Sequence, residues 1–167
     1  MAKADPRAAV YTGSFDPITL GHLNVIQRCS RLVDRLIIGI GVNVEKEALF
    51  SIEDRMELVR QVTSELTNIE IHAFNGLAVE FVQQCQARVM VRGVRSLSDM
   101  EAEFTMSLAN RKLAPDVETI FLMSGEEYTH ISSSLIKQIA ALAGREELER
   151  FVPSVVAEAL RERLIDS

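Results

Sequence analysis

Only two cysteines occur in 167 residues, Cys29 and Cys85, and neither stands in a CxxC pair or at the histidine spacing of a zinc site. That excludes a disulfide framework and a thiolate zinc centre, so both are expected as buried, reduced thiols in helical segments. A basic excess is missing too, since 18 Lys and Arg against 24 Asp and Glu leave a formal charge of −6. Such a chain does not wrap a long polyanion, and no nucleic-acid partner is expected, although a local basic pocket stays open to it. No run is long and apolar enough to span a bilayer, and Met1 to Arg7 lacks the apolar stretch of a secretory signal. No membrane partner and a cytoplasmic location are therefore expected. Repeats, low-complexity tracts, linkers and clustered Asp/Glu metal motifs are missing as well.

What remains is strict alternation. The length suits one domain over residues 1–167 with a substantial core. Short apolar runs at Ala8 to Tyr11, Arg35 to Val42, Ile69 to Phe74, Val89 to Val91 and Thr119 to Met123 read as strands. Helical patterns separate them: one starting near Leu20, one from Ser51 toward Leu66, one over Leu77 to Gln84, and a long one over Leu97 to Lys112. Two more follow the last strand, through Leu135 to Ala140 and through Val155 to Leu164, the latter capped by Ser154. The alternation predicts an α/β fold, a single doubly wound five-stranded parallel sheet of Rossmann-like type with C-terminal helices. Gly39 and Gly41 in the second strand suggest close approach of another backbone or a ligand.

Ligands of open parallel sheets bind outside the carboxyl ends of the strands, and the chemically loaded residues fall there. After the first strand comes TGSFDPITLGH, Thr12 to His22. Gly13 permits a turn or a close approach, Pro17 delays the helix, and Thr19 can cap it. The loop so ends on the unpaired N–H groups and positive pole of a helix, with His22 in the first turn, a site suited to phosphate. As a plain turn, the same residues would only shape the crossing and leave His22 as a capping or solvated side chain.

Arg92 and Arg95 bracket Gly93 right after the fourth strand, where guanidinium forks could hold phosphate oxygens. Their other reading is an ion-pair network with Asp99, Glu101 or Glu103; phosphate binding is favoured, with Glu103 facing the ligand. Ser132, Ser133 and Ser134 at a helix start exceed what one cap requires and suggest a second phosphate nest, facing the first across the sheet. Lys46, between Glu45 and Glu47, reads either as surface charge or as a ligand of substrate phosphate. His72 alternates with Ile69 and Ile71 and reads as structural.

Three blocks carry a family resemblance. Thr19-Leu20-Gly21-His22 resembles the T/HxGH signature of the nucleotidyltransferase superfamily, and Arg92 to Glu103, RGVRSLSDMEAE, resembles the RGLRxxxDFExE block of phosphopantetheine adenylyltransferases. Ile131 to Lys137 has their ISSSxxK form; apart from these three blocks, Lys46 with Phe50 matches their K-x-x-x-F. The resemblance implies a Rossmann-like nucleotidyltransferase fold and transfer of the adenylyl group of ATP to 4′-phosphopantetheine, giving dephospho-coenzyme A and pyrophosphate in coenzyme A synthesis.

It also implies the site. His22 is the transition-state stabiliser, acting with Ser14 and Lys46, and the acceptor contacts are Ser14, Lys46, Ala78 and Arg92. ATP contacts fall on Ser14, Phe15, His22, Gly93, Val94, Arg95 and Glu103, and on Tyr128, Thr129, His130, Ile131, Ser132, Ser133 and Ser134. His130 stands where the family often has an aromatic residue. Thr12, Leu20, Gly76 and Ala78 depart from common family residues, the last two in the loop that contacts the pantetheine arm. The cofactor implied is Mg2+, carried on phosphate oxygens rather than on protein ligands. Coenzyme A is a candidate feedback inhibitor. The family's homohexamers would bury Phe104, Met106 and Leu108 between subunits, where the alternative is that they face the chain's own sheet. An acceptor such as nicotinate mononucleotide, or nucleotide sensing without turnover, are the rival functions.

Overall fold

The computed structural model describes residues 5, 7–42 and 48–165. Five parallel strands form the described sheet: β1 Ala8–Gly13, β2 Arg35–Gly41, β3 Ile69–Phe74, β4 Val89–Val94 and β5 Glu118–Met123, in the order β3-β2-β1-β4-β5. Between them run α1 Leu20–Ser30, α2 Ile52–Val62, α3 Ala78–Gln84 and α4 Leu97–Leu113, and α5 Ser133–Ile139, α6 Arg145–Leu148 and α7 Ser154–Ile165 follow. The order reverses between β1 and β4, so the loops leaving their carboxyl ends part and open a crevice. Among the described residues no helix is long and apolar enough to cross a membrane.

Side-chain alternation along the strands builds two cores. Ala9, Tyr11, Leu36, Ile38 and Val91 pack with Val25 and Ile26 of α1, Leu58 and Val59 of α2, Ile136 of α5 and Val156 and Leu160 of α7. Ala8, Val10, Ile37 and Met90 turn to the opposite face, against Val79, Phe81 and Val82 of α3. Adjacent Ile37 and Ile38 are both fully buried, on opposite faces, and each such side chain contributes roughly 1.5–3 kcal/mol by leaving water.

Several expectations change. β4 continues to Val94, so Arg92 and Gly93 lie within a strand rather than after it. α2 stops at Val62, where Thr63 turns its hydroxyl onto the Val59 carbonyl. α7 already includes Ser154, and the short α6 precedes it. Gly39 is approached by an aromatic ring, not by backbone or ligand: an added Cβ would lie 2.5 Å from Phe81 Cε1, whose ring stacks on Phe74. His72 is half exposed on the edge strand β3, beside Glu70. Cys29 is buried and free, its thiol pushed up to about 11 by burial; Cys85 is free and partly buried at the end of α3.

The long helix is the largest surprise. None of the described residues of α4 is buried, and Phe104, Met106 and Leu108 are 54%, 58% and 52% exposed. Phe104 and Leu108 nevertheless border the sheet, lining one cavity with Thr119 and Phe121 of β5 while staying half exposed. The edge strand β5 beside them adds exposed Ile120 and Met123.

Candidate active site

A cavity of about 310 Å³ opens at the carboxyl ends of β1 and β4, the place where the strand order reverses. Its wall takes Ser14 and His22 from the first loop, Arg92, Gly93 and Arg95 from β4 and its end, Glu103 from α4, and Ile131 with Ser132 to Ser134 at the start of α5.

His22 is set by its own helix cap. Thr19 Oγ1 accepts the His22 backbone N–H at 3.3 Å, and the Thr19 backbone N–H donates to His22 Nδ1 at 3.1 Å. A nitrogen that accepts carries no proton, so the neutral ring holds its proton on Nε2, which has no partner among the described residues. Burial lowers the His22 pKa to about 4, with Arg95 and then Arg92 adding to the effect. The ring is a neutral donor near pH 7, and capping and lining the cavity are one arrangement rather than alternatives. Beneath it, Phe15 occupies the left-handed region at φ 46, with its ring buried edge-on to both Tyr11 and His22.

Both arginines line the cavity and both are paired. Arg92 makes a fork to Glu103 with two bonds of 2.7 Å and donates to the carbonyl and hydroxyl of Thr12, each at 2.9 Å. Although burial opposes the charge on Arg92, the Glu103 contact raises its pKa. Arg95 binds Asp99 at 2.8 Å through Nε and the Ile131 carbonyl at 2.8 Å through Nη1. The ion-pair reading therefore holds in this state, and Glu103 holds an arginine besides lining the cavity. The pairs fix the guanidinium planes at the crevice.

At α5, Ser132 is the N-cap, accepting the Leu135 N–H at 3.0 Å. Ser133 donates to the Pro17 carbonyl at 2.8 Å, which joins the serine block directly to the histidine loop. The two nests are thus neighbours, not opposed across the sheet. Ser134 is exposed on the cavity wall.

Other expected positions lie elsewhere. Val94 is fully buried; Ala78 starts α3 beside the second core; and Tyr128 packs near Gly21. Thr129 donates to Glu126, and His130 packs edge-on to Phe151 at 5.9 Å. None of these side chains, nor that of Phe15, lines the cavity. Lys46 lies outside the described residues.

Sequence reasoning gave no role to Asp16, Arg55 or Lys137. Asp16 accepts the N–H groups of Leu49 and Phe50 at 2.9 Å each and pairs with Lys137. Arg55 is buried and donates to the Ser14 carbonyl at 3.0 Å. A carboxylate inside the S-F-D-P segment and a basic residue closing ISSSxxK were the available signals; Arg55 had none. Ser124 Oγ is buried without a protein partner on the wall of the same cavity. Among the described residues no group of three or more His, Cys, Asp or Glu stands together as a metal site.

The cytidylyltransferase-like family model matches residues 10–139, which contain this cavity and all of the sheet except Ala8 and Ala9 of β1. A phosphopantetheine adenylyltransferase of Rhodopirellula baltica is 53% identical over 157 residues, spanning 93% of this chain and 88% of that protein. One from Caldanaerobacter subterraneus is 47% identical, spanning 94% and 97%. The nicotinic acid mononucleotide adenylyltransferase of Plasmodium falciparum, solved with NaAD, shares the fold at a TM-score of 0.67 and 13% identity, over 95% of this chain and 96% of that one. Identity of this order along nearly the whole chain means that the chain belongs to the phosphopantetheine adenylyltransferase family.

Proposed function

We propose that this enzyme transfers the adenylyl group of ATP to 4′-phosphopantetheine, forming dephospho-coenzyme A and pyrophosphate. An oxygen of the acceptor phosphate attacks the α-phosphorus, and the bond from that phosphorus to the oxygen bridging to the β-phosphorus breaks. Pyrophosphate leaves with the electron pair. The attacking phosphomonoester has a second pKa of about 6 and is already an anion, so no protein nucleophile or base is required. Catalysis reduces to alignment and to stabilising charge as it spreads.

The observation that carries this reading is His22, a neutral ring with its protonated Nε2 free at a crevice beside two arginines. His22 and Ser14 contact oxygens of the transferring phosphate, Lys46 and Arg92 the acceptor phosphate, and Arg95 with Ser132 to Ser134 the departing phosphates. Mg2+ supplies charge neutralisation on the phosphate oxygens. Its fit to this cavity is through substrate, because Asp99 and Glu103, the carboxylates on the wall, are held by Arg95 and Arg92.

The exposed Phe104, Met106 and Leu108 of α4 support self-association, and we read them as part of the contact of a homohexamer. The enzyme acts in the cytoplasm, where coenzyme A, carrying the same arm as the product, competes for the cavity. Pyrophosphate release with ATP, Mg2+ and either 4′-phosphopantetheine or nicotinate mononucleotide tests the assignment. Rapid release with the former alone is expected. Equal turnover of both, or binding of ATP without release, overturns it.

A further inference from the structure

One carboxylate joins three stretches of chain that the sequence keeps far apart. Asp16 belongs to the histidine loop, and its side chain is 6% exposed. Its Oδ2 accepts the Leu49 N–H and its Oδ1 the Phe50 N–H, the backbone just before α2. Lys137, in α5 beyond the serine block, places its ammonium on Oδ2. Arg55 closes the other side, with Nη1 donating to the Ser14 carbonyl at 3.0 Å and approaching the Gly41 carbonyl at 3.5 Å. Ser133 adds its bond to Pro17. The Ser14 to Pro17 segment is therefore held by the Leu49 to Arg55 segment on one side and by α5 on the other.

We infer that Asp16 is a positioning residue that sets the acceptor side of the cavity against the triphosphate side, and that Lys137 works through Asp16 rather than as a phosphate ligand. The inference rests on the reaction proposed above. Charge-assisted bonds from backbone N–H groups and an ammonium are the stronger class, and three of them converge on one fixed carboxylate. Lys137, unlike Arg92 and Arg95, does not line the cavity, and its ammonium is held on Asp16. The Asp16 carboxyl stays below the usual carboxylate range even though burial opposes this, with Lys137 and the two backbone donors lowering it. Ser14, two residues before Asp16, lines the cavity, so a shift of this segment moves a residue of the site, and small displacements of a reacting group cost rate steeply.

Three variants test this, Lys137→Met, Lys137→Arg and Asp16→Asn, each measured for ATP dissociation, steady-state constants for both substrates, and amide exchange at Leu49 and Phe50 without ligand. The Lys137 side chain is 37% exposed, so its replacement leaves the core intact. Lys137→Met should raise KM for 4′-phosphopantetheine about tenfold, leave ATP dissociation near wild type, and speed exchange at Phe50. Lys137→Arg should restore all three readouts, because a guanidinium also reaches Asp16. Asp16→Asn should shift the same quantities further. Weakened ATP binding in Lys137→Met with an unchanged acceptor KM would make Lys137 a phosphate ligand and overturn the inference. Unchanged exchange and constants in both Lys137→Met and folded Asp16→Asn would overturn it too. The exchange measurement needs no turnover: wild-type protein that ignores 4′-phosphopantetheine while the variants still speed exchange rejects the assigned substrate and keeps the tether.

Discussion

Thr19 and His22 cap each other, the threonine hydroxyl accepting the histidine backbone N–H and the threonine N–H donating to histidine Nδ1. The reciprocity gives the imidazole one tautomer before any ligand arrives. A donor fixed in advance costs no reorganisation when charge develops on the transferring phosphate.

His22→Ala should therefore lose about 2.7–4 kcal/mol of transition-state stabilisation, roughly 10²–10³ in turnover, with ATP dissociation little changed. The fold should survive, because Thr19 Oγ1 still caps the N–H at that position. Turnover by pyrophosphate release and ATP affinity by calorimetry, on the same preparations, measure both halves. Near-normal turnover in the folded variant would remove the role assigned to the ring.

The same histidine makes stability depend on pH. Its folded pKa of about 4 lies below the ordinary histidine value of 6.5, so the unfolded chain takes up the proton first as pH falls. The contribution of His22 is complete above 6.5 and is lost progressively toward 4. His22→Gln should flatten the decline in that window, read from urea melts at a series of pH values. Asp16, also depressed in the fold, acts at lower pH. An equally steep decline in His22→Gln would assign the effect to other groups.

Gly39→Ala should destabilise by about 1–3 kcal/mol, since its Cβ would overlap the Phe81 ring, itself stacked on Phe74 and closely packed. Combined with Phe81→Leu, the loss should fall short of the sum of the single changes. Denaturant melts of the four proteins give the cycle. Strict additivity would mean that the ring is not what requires a glycine there.

Phe104→Glu with Leu108→Glu should leave the monomer fold unchanged, because both side chains are already exposed, and should reduce the assembled mass seen by light scattering. A wild-type protein that is monomeric at micromolar concentration would reject the hexamer.

Periodicity located β3 to the residue, Ile69–Phe74, and came within one residue of both ends of the long helix, because strands and helices whose apolar spacing is regular announce themselves locally. Reading along the chain failed where a polar residue has its partner far away. Arg92 looks like a loop residue until Glu103 of α4 and Thr12 of β1 satisfy its guanidinium at the end of a strand. The four-residue α6 is too short to show a period.

From sequence alone came the alternation of strands and helices, the capped turn that presents His22, and the three motif blocks that carry the family. These are local, since spacing, caps and turn residues act over a few positions. Tertiary structure decided which carboxylates hold Arg92 and Arg95, that Asp16 ties its own loop to two distant segments, that Phe81 occupies the space beside Gly39, and that α4 buries none of its described residues. Each of those depends on where distant segments come to rest, and a spacing pattern contains no information about which partner will stand opposite a side chain.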